Sequence, residues 1–223
     1  NVTMGEVLEI EAGADADTPQ PKREDAEEIR NYRTALNFAA NAVINRPFSG
    51  HLLREIHALL MDGVRGRDKN PGAFRTEQNW IGQAGCPIGQ ASFVPIPQEQ
   101  LSTGLERWTA YIGSRQEPDP LVQLSIAHAE FEALHPFKDG NGRLGRMIIP
   151  LFLFERGVLG GPNFYMSGYL EARRDQYIES MRAISRDGAW TPWCAFFLEG
   201  VIQQASGNQA KAQAILSLHQ SML

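Results

Sequence analysis

The longest unbroken apolar stretch in the chain is Met147-Ile148-Ile149-Pro150-Leu151-Phe152-Leu153-Phe154. It is apolar around every side at helical spacing, so it can only be stable where all of its faces are covered. A bilayer span needs about 20 such residues, so this stretch is not a membrane segment. The remaining sequence must therefore supply a shell of amphipathic elements around one buried helix. Pro150 is expected to kink that helix without ending it.

The shell is legible as helical periods. Ile29, Tyr32, Leu36, Ala39 or Ala40, and Val43 step by three and four and form one apolar stripe, which Pro47 ends. Residues 13 to 28 read as an exposed loop running into the acidic first turn of that helix. Ser49 is placed to cap a second helix carrying Leu52, Leu53, Ile56, Leu59 and Leu60. Leu101, Leu105, Trp108 and Ile112 make another, and Asp119-Pro120 starts one that runs to Leu134, where Pro136 stops it. Three more are expected near 169–186, 190–206 and 208–222. Residues 62 to 97 break every helical period with glycine and proline. There the runs 79–81 and 91–94 flank a Gly/Pro-rich turn and read as a β-hairpin. The expected fold is all-α with one short hairpin. Its expected segments are 1–24 as N-terminal linker, 25–206 as a single domain, and 207–223 as a terminal helix that begins a further domain.

Composition excludes several classes. Lys and Arg total 21 against 26 Asp and Glu, a net charge of −5, which argues against a nucleic-acid surface. Cys86 and Cys194 are too few for a disulfide scaffold, and with no secretory signal visible they suit a cytoplasmic protein without membrane attachment. The Asn1-Val2-Thr3 acceptor pattern has no meaning outside a secretory context.

The chemistry is concentrated in His135-Pro136-Phe137-Lys138-Asp139-Gly140-Asn141-Gly142-Arg143-Leu144-Gly145-Arg146. Asp-Gly-Asn-Gly is turn chemistry that directs N–H groups inward, and it lies directly before the buried helix, where the helix dipole favours an anion. Arg143 and Arg146, three apart on the first turn, can both clamp a polyphosphate. Asp139 offers an oxygen to a hard cation bridging phosphates, and His135 is close enough to act as a base beside them.

This run fills every specified position of His-x-Phe-x-(Asp/Glu)-Gly-Asn-Gly-Arg-x-x-Arg and so resembles the Fic (filamentation-induced-by-cAMP) family. The stretch 71–82, from Pro71-Gly72-Ala73-Phe74-Arg75 to Trp80-Ile81-Gly82, looks like that family's entry into its flap hairpin. Phe164–Tyr169, Arg174–Tyr177 and Phe196–Gly200 resemble later helices of bacterial members. The resemblance implies transfer of AMP from ATP to a hydroxyl side chain of a target protein, with release of pyrophosphate. It implies His135 as the general base and Asp139 as holder of Mg²⁺. Gly140, Asn141, Gly142, Arg143, Leu144, Gly145 and Arg146 would form the nucleotide loop, with Tyr177 bordering the adenine. Asn79, Trp80, Ile81, Gly82, Phe93 and Val94 would form a flap that lays the target beside His135 by strand addition. Gly140 and Gly142-Arg143 argue against the family's phosphorylating variant. A homodimer is left open.

Other residues have structural readings. His128 is expected to pack or hydrogen-bond rather than bind metal, and Trp108, Trp190 and Trp193 to anchor the core. His51, His57 and His219 are expected to be structural or on the surface, and Arg75 to make an ion pair that fixes the flap. No complete (Ser/Thr)-x-x-x-Glu-(Gly/Asn) inhibitory motif occurs. Gly5–Glu9 resembles the segment C-terminal to that motif in relatives, so the motif is expected upstream of Asn1. The competing functions are removal of AMP from modified protein, and a nucleotide-sensing toxin-type module held by an antitoxin.

Overall fold

A computed structural model describes residues 20–221 apart from Arg65 and Ala84. The expectations for residues 1–19, including the Gly5–Glu9 stretch, fall outside the described residues. The helices are α1 (Gln20–Val43), α2 (Gly50–Leu60), α3 (Leu101–Gly113), α4 (Pro120–Leu134), α5 (Asn141–Glu155), α6 (Ser167–Ala172), α7 (Arg174–Asp187) and α8 (Trp190–Ser221).

Helix α5 is the buried element. Leu144, Met147, Ile148, Ile149, Leu151, Phe152 and Leu153 are all at most 2% exposed, with α4, α1 and α2 packed around them. The helix runs through Pro150 without ending. Ser49 caps α2 by accepting from the Leu52 N–H at 3.2 Å, and the Asp119 carboxylate caps α4, whose N1 residue is Pro120. Trp108 and Trp193 fill the core, and their indole N–H groups donate to the carbonyls of Ala127 and Ser125. Together these interactions fix α4, the helix that ends at His135.

The sequence reading differs from the structure at both ends and at the hairpin. Helix α1 already begins at Gln20, so residues 20–28 are helical rather than loop. The helices expected at 190–206 and 208–222 are one continuous α8 of 32 residues. Gly207 costs an exposed helix only about 1 kcal/mol, which its alanine- and glutamine-rich neighbours offset. The hairpin reduces to a single antiparallel bridge, Ile81 to Phe93. Pro87 and Pro95 withhold donors, and a 3₁₀ turn at Ile88–Gln90 occupies the tip, so the ladder does not extend.

Candidate active site

Helix α4 ends on His135, which has φ 45 and ψ 59 in the left-handed region. Such a conformation in a non-glycine residue is costly and persists only where its surroundings enforce it. They do so through carbonyls. Arg75, 2% exposed, donates from Nε to the His135 carbonyl at 3.1 Å and from Nη2 to those of Ile96 and Leu134, while its backbone N–H donates to Pro136. The ion pair expected of Arg75 is thus replaced by a fan of bonds to carbonyls that ties the end of α4 to the foot of the flap.

The loop after His135 is locked in the same way. Asn141, 1% exposed, accepts from the Phe137 N–H at 2.9 Å and donates to the Phe137 carbonyl at 2.8 Å. Asn79 donates to the same carbonyl at 3.1 Å. The His57 ring stacks on Phe137 with centroids 3.8 Å apart. Its Nδ1 accepts from the Gly72 N–H at 2.9 Å, so Nε2 carries the proton and donates to the Asp139 carbonyl at 3.0 Å. Gly140 sits at φ 77, and a Cβ there would fall 2.6 Å from Met61 Sδ, so no other residue fits without strain.

These contacts shape a cavity of about 350 Å³ lined by His135, Lys138, Asp139, Gly140, Asn141, Gly142, Arg143, Arg146 and, from α1, Glu28. The first-turn N–H groups of Asn141 and Gly142 have no intrahelical acceptor and carry the positive end of the α5 dipole. Arg143 lies 3.6 Å from Glu28 and 3.7 Å from Asp139. Asp139 also accepts from the Gly140 N–H at 2.6 Å. Burial pushes His135 down to about 4, opposed by the Glu132 carbonyl and aided by Arg75. The ring is therefore neutral at pH 7. Among the described residues its Nδ1 is enclosed without a hydrogen-bond partner, and the residue lines the cavity.

A second cavity, of about 320 Å³, adjoins on the flap side. Ile81, Phe93, Tyr177, Ile178 and Met181 make it largely apolar, and Glu132 contributes a carboxyl. Glu132 and His135 are three apart at the end of α4, so the cavities are separated by one helical turn.

A neutral histidine, an amide nest at a helix start and two arginines share one cavity. The sequence comparisons agree with that geometry. Residues 47–153 match the model of the Fic/DOC family. The Fido domain-containing protein of Dictyostelium discoideum is 30% identical over 124 residues, which is 78% of that protein. The chain belongs to the Fic/DOC family. The protein adenylyltransferase fic-1 of Caenorhabditis elegans is 30% identical over 88 residues, 39% of this chain and 16% of that protein. A Fic family protein from Desulfovibrio desulfuricans G20 superposes with a TM-score of 0.76 at 21% identity, over 95% of this chain and 61% of that one, so the fold is shared. The chain thus spans a minor part of the adenylyltransferase and under two thirds of the solved relative.

Within this Fic domain the predicted loop residues fall into two groups. His135, Asp139, Gly140, Asn141, Gly142, Arg143 and Arg146 line the first cavity. Leu144 is 0% exposed in the core, and Gly145 faces Glu132, where an added Cβ would lie 2.2 Å from the carboxyl. Neither lines that cavity. The Asn141 side chain is spent on the loop, leaving only its N–H for a ligand. Of the flap residues, Ile81, Gly82 and Phe93 line the second cavity, Trp80 and Val94 are exposed, and Asn79 anchors the flap's foot. Tyr177 lines the second cavity, with its hydroxyl 3.2 Å from His128 Nε2. Sequence reasoning left His57 between a structural and a surface role, and it missed Glu132. A histidine on the apolar face of α2 between Leu53 and Leu60 was the available signal for the first.

Proposed function

We propose that this domain transfers AMP from ATP to a hydroxyl side chain of a target protein. The observation that carries the reading is the neutral His135 beside the Gly140–Gly142 nest in one cavity with Arg143 and Arg146. The target hydroxyl loses its proton to His135 as its oxygen forms a bond to the α-phosphorus. The bond from that phosphorus to the bridging oxygen breaks, and pyrophosphate leaves with the electron pair. Arg143, Arg146 and the N–H groups at the start of α5 neutralise the charge on the phosphates. Most of the rate in such transfers comes from this positioning and neutralisation.

No cluster of three or more His, Cys, Asp or Glu that could hold a metal occurs among the described residues. One carboxylate beside a phosphate site is nonetheless the donor set Mg²⁺ accepts, since it takes its other oxygens from phosphates and water. Asp139 would hold it, and bound there it would supply charge neutralisation of the phosphates. The exposed flap beside His135 suits the segment of the target carrying the hydroxyl.

The test is label transfer to protein from ATP labelled at the α- or the γ-phosphate. Label from the α position with stoichiometric pyrophosphate supports the reading. Label from the γ position, or none from either, overturns it.

A further inference from the structure

Arg75 is a buried cation that the proposed transfer does not use. It is 2% exposed, and among the described residues no carboxylate lies within ion-pair distance of it. Burial lowers its pKa, opposed by the field of Glu99. A buried charge is costly unless hydrogen bonds replace its water. Here each guanidinium nitrogen finds a carbonyl on a different segment. Nε donates to His135 at 3.1 Å, Nη1 to Glu77 at 3.3 Å, and Nη2 to Ile96 at 2.6 Å. Glu77 precedes the first run of the flap and Ile96 follows its second. One planar group therefore holds both feet of the flap together with the carbonyl of His135.

The backbone of His135 makes that contact matter. At φ 45 its Cα–Cβ bond is turned, relative to α4, by about 110° from where an ordinary helical φ would put it. A left-handed histidine relaxes to the ordinary region unless its surroundings hold it. Such relaxation would carry the ring off the cavity that it lines. The Arg75 backbone N–H, on the Pro136 carbonyl at 2.8 Å, restrains the next peptide but has no link to the flap. We propose that Arg75 is a positioning residue for AMP transfer, holding His135 towards the cavity and making that placement depend on the clasped feet of the flap. This rests on the reading of His135 as the base.

Two substitutions separate placement from charge and from the core. Arg75→Lys keeps the cation, but the three donors of lysine radiate from one atom and cannot meet carbonyls that the guanidinium reaches from three. Gln78 clasps the feet beside Arg75, donating to the Pro95 carbonyl at 3.1 Å and to that of Asn79 at 3.0 Å. Gln78→Ala opens that clasp and leaves Arg75 itself intact. The groups acting on His135 are Arg75, Asp139 and the Glu132 carbonyl, and neither substitution changes a charge among them.

NMR titration of the His135 ring, its signal assigned by loss in His135→Ala, tests the placement without requiring transfer. It is paired with single-turnover labelling of protein from α-labelled ATP and with calorimetry of a non-hydrolysable ATP analogue. In the parent chain His135 should titrate near 4, where burial holds it. In Arg75→Lys it should move towards the ordinary 6.5. Transfer should fall about 10- to 100-fold while analogue affinity stays within about twofold. Gln78→Ala should move the signal the same way by less, and should add little to Arg75→Lys in the double variant. Circular dichroism and binding stoichiometry report the folded fraction, and Gln78→Ala carries the test alone if Arg75→Lys does not fold. A purely structural role would lower stoichiometry and transfer amplitude together and leave the folded fraction titrating as the parent does. That result, or a parent His135 that titrates near 6.5, overturns the assignment. A Gln78→Ala signal that stays at the parent value, or additive effects in the double variant, overturns the dependence on the flap. A displaced titration in the variants of a chain whose parent transfers no label overturns the proposed function and leaves the placement standing.

Discussion

The segment 135–146 and the flap 79–94 face the same pair of cavities but are built in opposite ways. In the first, the carbonyls of Leu134, His135, Pro136, Phe137 and Asp139 each accept a bond from Arg75, Asn79, Asn141 or His57. The second has one bridge, and Trp80, Ile81 and Val94 are each more than 40% exposed. Its foot is clasped by Gln78 donating across to the Pro95 carbonyl at 3.1 Å and by Asn79 on Phe137, and further out it is held by Arg182 donating to the Ser92 carbonyl at 3.3 Å and by the Trp80 indole N–H on the Cys86 carbonyl at 2.9 Å. Phosphate chemistry tolerates misplacement poorly, and shifts of about 1 Å can cost on the order of 100-fold in rate. A surface that pairs its backbone with another chain works better with its edge unfilled. The contrast between a fixed reaction loop and an unfilled docking edge can be attacked from either side.

The largest effect is expected at the base. His135→Ala should reduce AMP transfer by about 10²- to 10⁴-fold, the range a positioned general base contributes. Affinity for ATP should change little, because in the proposed reaction the phosphates are held by the α5 start and the arginines and not by His135. Single-turnover transfer and equilibrium binding separate the two. Transfer at the parent rate would remove His135 from the chemistry.

Gly140→Ala attacks the rigidity of the loop rather than its chemistry. An L-residue at φ 77 costs about 1–2 kcal/mol. The Cβ 2.6 Å from Met61 Sδ and 3.1 Å from His57 Nε2 adds about 1–3 kcal/mol of overpacking. Gly142→Ala meets only the movable end of Arg146 at 3.2 Å and should cost little. Equal denaturation midpoints for the two variants would show that the loop is looser than its contacts imply.

What the sequence disclosed divides along the same line. The loop was legible because its function depends on residue identity at fixed spacing, and α5 because an apolar stretch has one stable environment. The flap was legible only as composition, and a two-run pattern overstated a ladder that Pro87 and Pro95 interrupt. Helix α8 was cut at Gly207 because a local breaker weighs heavily in sequence, although its flanks carry the helix across. Arg75, His57 and Glu132 act through partners on distant elements: His57 bonds to a carbonyl 82 residues away, and Glu132 fills the space left by Gly145. No local period encodes such contacts, yet Gly145 inside a buried helix had a packing reason that sequence alone could not name.

The rigid side also predicts a pH signature. His128 and His135 are both held near 4, against an unfolded value near 6.5. The folded chain thus refuses protons that the unfolded chain accepts, and this stability is lost as pH falls from 6.5 to 4. Each histidine accounts for on the order of 3 kcal/mol. Glu132, raised to about 7, acts in the opposite sense: the folded chain keeps a proton the unfolded chain releases, so that stability is lost as pH rises from 4.5 through 7. Burial lowers His57 and raises Glu130 in the same way, so three histidines against two carboxyls give a net loss on acidification. Glu132→Gln should raise the melting temperature at pH 8 and leave it unchanged at pH 4.5. A Tm–pH profile identical to the parent's would show that Glu132 is already ionised in the folded chain.

The smallest effect on the fold, and the sharpest test of the comparison, is expected at the flap. Ile81 and Phe93 exchange both backbone bonds, N–H to carbonyl at 2.9 and 3.1 Å, and the Ser92 N–H also donates to the Ile81 carbonyl at 2.7 Å, whereas residues beyond Phe93 turn their backbone groups away from the pair. Val94 is one of these, and its side chain is 45% exposed and does not line the flap-side cavity. Val94→Pro deletes an outward N–H while its extended backbone already suits a residue that precedes Pro95. Stability should move by less than about 0.5 kcal/mol, as for other exposed positions. ATP affinity should hold, because no cavity contact is lost. Modification of the target should nonetheless fall, because an added strand would lose one ladder bond at the edge next to His135. Phe93→Ala, by contrast, removes a wall of the flap-side cavity, where Tyr177 was expected to border the adenine, and should weaken ATP binding together with transfer. If Val94→Pro modifies its target as fast as the parent chain, the target does not pair with this edge. If it loses ATP affinity as well, the flap belongs to the rigid half of the site, and the contrast between the two regions fails.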